Sequence, residues 1–280
     1  MSNKEISDLK TLIKALEIRL NAKEITEEEY TTLKEKYNNQ LNEEIKLVKE
    51  NSLFRNLSYV SISGSGKVSD SNISISGSGR IEGWKGGTIK ISGSGKISDE
   101  EIKISGSGVL PGDLVAEVLK VSGSLKVQGA LETSSFISSG SFKVEGPLTI
   151  NRDCTTSGSG KIEGSLLAHN ASLVTSGSLK VQGDVFCHEA ELAGAYKIGG
   201  SVKCNGSFSS ELDNKCVIDG DLICGGDVYI EQDSRKGSLT VENIESSGEV
   251  YLEGVKAKSV SGKKVKLGED CQIDSVTETG

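Results

Sequence analysis

Five lysines stand at the same place in a short repeated segment, where they could bind a partner through charge. The segment first reads SGSLKVQGAL (122–131), and five similar segments follow it: SGSFKVEGPL (139–148), SGSGKIEGSL (157–166), SGSLKVQGDV (176–185), GGSVKCNGSF (199–208) and DGDLICGGDV (219–228). If the copies stack in register, the lysines form a cationic stripe along one edge, made of Lys126, Lys143, Lys161, Lys180 and Lys203. Such a stripe fits an anionic polymer or an acidic partner surface. Glu145 and Glu163 favour the alternative, a partly neutralised solvated face.

The two histidines are the best candidates for a metal site. His169 and His188 each follow a repeat glycine at the same distance, so their imidazoles could stack on adjacent repeats. Two nearby imidazoles could begin a metal site, but no third ligand is evident beyond Glu189 or Asn170. A surface corner is therefore the preferred interpretation, and no metal is predicted.

The cysteines fit a structural role. Cys204 and Cys224 fall in the same column of the repeat as Val127, and Cys154 and Cys187 also have inward parity. A buried cysteine behaves as a small hydrophobic residue. No CxxC pair is present, so neither zinc-ribbon nor redox-pair spacing exists, and no disulfide is expected.

Two other features suggest chemistry only weakly. Trp84, the only tryptophan, could anchor a partner or cover a corner of the fold. The Gly-Ser-Gly steps resemble phosphate loops, but no GxxxxGK[ST] motif accompanies them. No catalytic or cofactor-binding residue is predicted.

Composition excludes several classes of protein. The 280 residues carry a net charge of −8, which disfavours nucleic acid as a partner. Aromatic residues make up only 4% of the chain, and 34 glycines all follow residue 63, so a thin aliphatic core is expected. No run of about 18 apolar residues is present, and the first residues lack the order of a signal peptide. A cytoplasmic location is expected, with the inner face of the membrane as the alternative.

The segment 1–52 favours helix. Leu9, Ile13, Leu16 and Leu20 make one apolar stripe, and a second stripe runs from Tyr30 to Val48. Thr26 followed by Glu29 is a capping box, so the second helix should begin there. The sequence therefore predicts an α-helical hairpin over 1–52, which could cap the following domain or pair with another copy.

The stretch ALEIRLNAKEITEEEYTTLKEKY resembles the SHOCT-type short helical module. In that module the turn reads G-x-I-[ST]-x-E-E-[FY]; here Lys23 and Glu24 replace the glycine. The resemblance implies a role in oligomerisation.

From about Leu57 onward apolar and polar residues alternate with a period of two, which is typical of strands. Aligned copies give apolar columns, including Leu125, Phe142, Gly160, Leu179, Val202 and Leu222, and a glycine column of Gly123, Gly140, Gly158, Gly177, Gly200 and Gly220. Alternation combined with a repeat of this length predicts a solenoid of three-stranded coils. The regular coils are expected over 105–230 and tighter ones over 239–276, where Val250 and Leu252 recur as Val265 and Leu267. Upstream, the closer spacing of Gly64, Gly77, Gly93 and Gly106 predicts narrower or irregular coils.

The rungs ISGSGK, VSGSLKVQG and SGSFKVEG, with the closing VYLEGVKAKSVSGKKVKLGEDCQID, resemble the bactofilins, a bacterial polymer-forming cytoskeletal family, and in particular its longer Firmicute-type members. The resemblance covers about 58–276. It implies a right-handed parallel β-helix over 53–280 that polymerises end to end without nucleotide.

The function expected is therefore a non-enzymatic scaffold whose terminal coil recruits further copies through unpaired backbone groups. The expected partners are copies of the chain itself, with cell-envelope or morphogenesis proteins as further candidates. Two alternatives remain open. A β-helix carbohydrate-active enzyme would need grouped carboxylates and basic residues, and a surface adhesin would need an export signal.

Overall fold

A computed structural model describes residues 12–13, 16, 19–20, 25–51, 59–69, 72–84, 87–98, 101–112 and 114–280. The chain divides into two compact units, Met1–Leu57 and Ser58–Gly280. The first unit contains a helix and the second is almost entirely β-structure.

Helix α1 spans Glu27–Asn51 and begins where the capping box predicts. The Glu29 amide donates to Thr26 Oγ1 at 3.2 Å, and the Thr26 amide donates to Glu29 Oε2 at 2.9 Å. Both bonds satisfy amides at the helix start, and the second holds the pKa of Glu29 below its usual value. Residues 12–13, 16 and 19–20 are also described, but the rest of the predicted first helix, and the hairpin, lie outside the described residues.

Within the described residues of the second unit there are 26 strands in one continuous sheet. The strands are β1 (Tyr59–Ser69), β2 (Asn72–Trp84), β3 (Gly87–Ser98), β4 (Glu101–Ile104), β5 (Ser107–Pro111), β6 (Leu114–Val121), β7 (Ser124–Gln128), β8 (Leu131–Ser138), β9 (Ser141–Val144), β10 (Leu148–Thr156), β11 (Ser159–Ile162), β12 (Leu166–Thr175), β13 (Ser178–Val181), β14 (Val185–Ala193), β15 (Ala195–Ile198), β16 (Val202–Cys204), β17 (Phe208–Glu211), β18 (Lys215–Ile218), β19 (Leu222–Cys224), β20 (Val228–Glu231), β21 (Ser238–Thr240), β22 (Asn243–Ser246), β23 (Glu249–Leu252), β24 (Val255–Gly262), β25 (Lys264–Leu267) and β26 (Gln272–Glu278).

From β4 onward the strands wind into a parallel β-solenoid of about ten coils. Each coil contributes one segment to each of three ladders. Ladder A contains β5, β7, β9, β11, β13, β15, β18, β21 and the first halves of β24 and β26. Ladder B contains the first halves of β6, β8, β10, β12 and β14, then β16, β19, β22 and the second halves of β24 and β26. Ladder C contains β4, the second halves of β6, β8, β10, β12 and β14, then β17, β20, β23 and β25.

The predicted alternation places apolar side chains inside all three ladders. Val127, Phe136 and Leu131 are each no more than 1% exposed and belong to ladders A, C and B. The predicted continuation of the repeat to residues 105–114 is confirmed, because Gly108 pairs with Leu125 and Leu110 with Val127. The tighter terminal repeat is also confirmed, because Val250 pairs with Val265 and Leu252 with Leu267.

The glycines of the corner between ladders C and A stack directly upon one another. A Cβ added to Gly123 would overlap the carbonyl oxygen of Gly106, and one added to Gly140 would overlap that of Gly123. The same overlap recurs at Gly158, Gly177 and Gly194. Successive coils approach so closely here that only glycine fits.

The prediction of a parallel β-helix beginning at residue 53 is wrong for its first strands. β1, β2 and β3 form an antiparallel meander, in which Gly64 pairs with Gly77 and Gly77 pairs with Gly93. The glycine column exists, but its short spacing comes from hairpins, which return the chain within fewer residues than a three-sided coil. β3 then pairs antiparallel with both β4 and β5, and parallel pairing starts between β4 and β6.

Candidate functional site

The predicted lysine stripe exists on ladder A for four of its five members. Lys126 pairs with Lys143, Lys143 with Lys161, and Lys161 with Lys180, each on the next coil. Their side chains alternate with buried apolar neighbours, so they point outward. The register then brings in Lys197, which pairs with Lys180. We call the outward side chains of Lys126, Lys143, Lys161, Lys180 and Lys197 the lysine face.

Two glutamates partly neutralise the first three lysines of the lysine face. Glu145 Oε1 accepts from Lys143 at 2.8 Å and lies 2.9 Å from Lys126 Nζ. Glu163 Oε1 accepts from Lys161 at 2.6 Å and lies 3.1 Å from Lys143 Nζ. The hydrogen bond from Lys143 is the main reason that the pKa of Glu145 lies below its usual value, and the bond from Lys161 has the same effect on Glu163. The pKa of Lys143 is raised, chiefly by Glu145 and next by Glu163.

The last two lysines of the lysine face have no such partners. Gln182 and Gly199 follow Lys180 and Lys197 at the positions that Glu145 and Glu163 occupy on earlier coils. Lys180 and Lys197 are exposed, and neither forms an ion pair within the described part of the chain. The face therefore divides into three lysines that share two carboxylates and two lysines that have none.

The placement of Lys203 in this stripe is wrong. Lys203 lies on ladder B, where it pairs with Phe186 and Ile223, and its Nζ lies 5.7 Å from the centre of the Phe186 ring. After Ser178 the chain returns to ladder A at Ala195, before the segment GGSVKCNGSF begins. That segment resembles the ladder A copies in its glycine and apolar spacing, but it lies one corner further along the coil.

The last two repeated segments both lie on ladder B, so their cysteines and glycines also occupy other positions than the alignment predicts. Cys204 pairs with Cys187 and Cys224 on ladder B, and therefore does not lie in the Val127 column. Gly200 and Gly220 likewise belong to the corner between ladders A and B, where the Gly220 amide donates to the Gly200 carbonyl at 3.0 Å.

The prediction that the inward cysteines are buried is confirmed. Cys154, Cys187, Cys204 and Cys224 are all at most 5% exposed, and Cys187 Sγ lies 3.1 Å from Cys204 Sγ. Burial raises the pKa of the Cys154 thiol to about 12. All six cysteines are free thiols.

The histidines occupy adjacent coils, as their spacing predicts. They follow Ala168 and Cys187, which pair directly, although the register shifts immediately afterwards. The side chain of His169 lies outside the described residues, as does that of Trp84. Among the residues that the structure describes, no group of three or more His, Cys, Asp or Glu side chains could hold a metal ion.

The last coil exposes residues of the inward columns. Leu252 is 0% exposed, whereas Leu267, its partner on the following rung, is 41% exposed. Val260 is 1% exposed and Val276, stacked on it, is 46% exposed. β25 pairs with β23 and β26 with β24, so within the described strands each has a partner on one side only. This coil therefore has a partly exposed apolar end. Its outer strand edges have no strand partner among the described strands, although the Val265 amide donates to Glu278 Oε1 at 2.9 Å.

Ladder C carries an exposed group of side chains that the repeat alignment did not single out. Tyr229 pairs with Tyr251 on the next coil, and their rings stack at 5.0 Å with an interplanar angle of 17°. Two residues further along, Glu211 pairs with Glu231, and Glu253 follows on the next coil. We call the outward side chains of Glu211, Tyr229, Glu231, Tyr251 and Glu253 the tyrosine–glutamate face. The signal in the sequence was the pair of alternating segments VYIE and VYLE.

Tyrosine hydroxyls hold two of these carboxylates. Tyr229 donates to Glu231 at 3.2 Å, and Tyr251 donates to Glu253. The Glu253 carboxylate is the main reason that the pKa of Tyr251 is raised to about 12. Lys266 completes the stack, with its Nζ 5.0 Å from the centre of the Tyr251 ring.

Comparison with known proteins names no relative. No protein-family model matches the chain, and neither a curated protein nor a solved structure matches it. Among the described residues, no helix has the length and apolar character needed to cross a membrane.

Proposed function

We propose that this chain is a non-enzymatic structural protein that self-assembles end to end through its β-solenoid. The polymers or oligomers would need no nucleotide and would act as a bacterial cytoskeletal scaffold of the kind that bactofilins form. The observation that carries the proposal is the rise in exposure from Leu252 to Leu267, which leaves the apolar core partly open at the last described rung.

Stacking a second copy on the last coil would extend the three ladders and bury the side chains of Leu267 and Val276. Burying apolar surface contributes about 25 cal/mol per Å². The N–H and C=O groups of β25 and β26 that lack a strand partner would gain one, and the Val265 N–H would exchange its bond to Glu278 Oε1 for a backbone partner. The proposal includes a right-handed coil, which agrees with the right-handed sense of about 98% of parallel strand crossovers. It also includes the helical hairpin at the N-terminus as an oligomerisation module.

Electron microscopy and sedimentation of the purified chain, without nucleotide, test the proposal. We expect rods longer than one chain, and we expect Leu267→Lys combined with Val276→Lys to reduce the rod length to that of one chain, because two charges would be buried at the junction. Val115→Lys is the matched control, since Val115 is 51% exposed on the side of an early coil, and it should leave rod length unchanged.

Two results would contradict end-to-end assembly. One is a wild-type chain that sediments as a single copy at every concentration tested. The other is a rod length that responds equally to the terminal substitutions and to the control.

A further inference from the structure

Two rows of like charge lie on the solenoid without an ion-pair partner among the described residues. Lys180 and Lys197 pair directly on ladder A, and Glu211 and Glu231 pair directly on ladder C. Like charges opposite one another destabilise a sheet. Within the described residues, none of these four side chains makes an ion pair, whereas the earlier lysines of ladder A are bridged by Glu145 and Glu163.

A single copy cannot bring the two rows together. Ladders A and C form different sides of each coil, and the backbone of a rigid sheet fixes the outward direction of each side chain. Solvent and salt ions screen the exposed side chains in part, and a surface of opposite charge from another molecule would relieve both rows further.

The acidic row also lies beside an exposed aromatic residue. Tyr229 is 48% exposed, and Tyr251 stacks against one face of its ring. Ser209 occupies the same column on the preceding coil, so no large side chain covers the other side of the ring from that position. Tyrosine is enriched at protein interfaces, and a lysine ammonium can lie over its ring, as Lys266 does over Tyr251 in this chain.

We propose that the lysine face of one copy binds the tyrosine–glutamate face of a second copy, side by side. Successive members of each row lie on successive coils, about 4.8 Å apart. The lysines and glutamates therefore have the same spacing and opposite charge. Lys180 and Lys197 bind Glu211 and Glu231, and a lysine stem covers Tyr229. Equal spacing and opposite sign within one chain favour a second copy over an unrelated acidic or basic partner.

The two faces differ, so the contact is heterologous and each copy keeps one free face of each kind. Such contacts continue as open arrays. The chain would thereby form sheets or bundles, in addition to the end-to-end assembly proposed above and independently of it.

Charge reversal with complementation tests the pairing. One variant carries Lys180→Glu and Lys197→Glu, and the other carries Glu211→Lys and Glu231→Lys. Each variant alone presents two faces of the same sign, so we expect its lateral association to weaken at least about tenfold. An equimolar mixture restores opposite signs at every contact between unlike variants and should recover association. Each reversed row still holds two like charges, and the Tyr229–Glu231 hydrogen bond that Glu231→Lys removes is exposed, so the stability of the fold should change little.

The readouts separate lateral from end-to-end contact. Sedimentation gives the mass and negative-stain microscopy gives particle width and length. Wide assemblies should form at about 10 mM salt, where the screening length is about 30 Å, and dissociate at about 1 M salt, where it is about 3 Å. A variant with Lys236→Glu and Lys263→Glu has the same net charge as the first variant, and should keep the wild-type width, because both lysines are exposed outside the two faces.

The inference fails if wild-type particles have the width of one solenoid at low salt, or if the mixture associates no better than either variant. It also fails if the control loses width as much as the first variant, since net charge alone would then explain the effect. Wild-type particles that are wide but only one solenoid long would contradict end-to-end assembly and leave the lateral pairing unaffected.

Discussion

Phe142 and Gly160 lie opposite each other on neighbouring coils, one with a large side chain and the other with none. Substitutions at this pair can test which residues stack in the solenoid. The two residues are direct partners on ladder A, in the column that holds Leu125 and Leu179 on the flanking coils. Phe142 is 4% exposed, and a Cβ added to Gly160 would overlap the end of its ring while lying 3.1 Å from Leu179 Cδ1. The ring therefore fills the space that the missing side chain leaves.

Each single substitution should be costly. Gly160→Leu forces a side chain into occupied space, and such overpacking typically destabilises by about 1–3 kcal/mol. Phe142→Leu removes buried carbons and leaves a gap above a glycine, which should destabilise by about 1–2 kcal/mol. The double variant replaces the pair with the leucines found elsewhere in the column, so its free energy of unfolding should return to within about 1 kcal/mol of the wild-type value, a coupling of about 1–3 kcal/mol.

Equilibrium urea unfolding followed by far-UV circular dichroism measures this coupling. Repeat arrays can lose two-state behaviour, so the slope against urea must agree among the four proteins. Gly160→Leu combined with Leu239→Val is the control, because Leu239 lies several coils away and the two effects should simply add. If the losses in free energy of unfolding for Phe142→Leu and Gly160→Leu also simply add in the double variant, direct stacking of the two residues is refuted.

Two further predictions concern titratable side chains. In the native protein a chromogenic disulfide reagent should label one thiol rapidly, Cys271, since it is half-buried while the other five cysteines are buried; Cys271→Ser should abolish the fast phase, and rapid labelling of several thiols would contradict the fold. Tyr251 should titrate near its raised pKa of about 12 in the tyrosinate absorbance, and Glu253→Gln should move that pKa toward the ordinary value of about 10. The pKa of Tyr251 is higher in the folded state than in the unfolded state, so the stabilisation from the Tyr251–Glu253 hydrogen bond is complete below about pH 10 and is lost as the pH rises through about 12. A difference titration between the wild type and Tyr251→Phe with its midpoint near pH 10 would show that this hydrogen bond is absent in solution.

Several features could be predicted from the sequence because their signals are local. The Thr26 and Glu29 capping box predicts the start of α1, since both partners lie within one turn. The alternation of apolar and polar residues predicts which side chains point inward, since a strand has a fixed period of two. Four consecutive lysines of ladder A were predicted correctly because the coils that carry them are nearly equal in length.

The errors arose where two arrangements satisfy the same local pattern. Gly64, Gly77 and Gly93 align equally well in an antiparallel meander and in a stack of narrow coils, and only the pairing of β1 with β2 distinguishes them. Lys203 fitted the lysine column because GGSVKCNGSF has the glycine and apolar spacing of the ladder A copies. Sequence similarity between copies therefore does not say on which side of the coil a copy lies.

The sequence by itself determined the strand period, the close-packed glycine corners and the approximate length of a coil, all of which depend on residues near one another in the chain. The tertiary structure alone decided which ladder each segment joins, because that position depends on the summed length of every preceding side and corner. It also decided that Lys180 and Lys197 face no carboxylate within the described residues, and that Tyr229 and Tyr251 stack. Those contacts join residues on different coils, where one residue more or less in a loop would bring different side chains together.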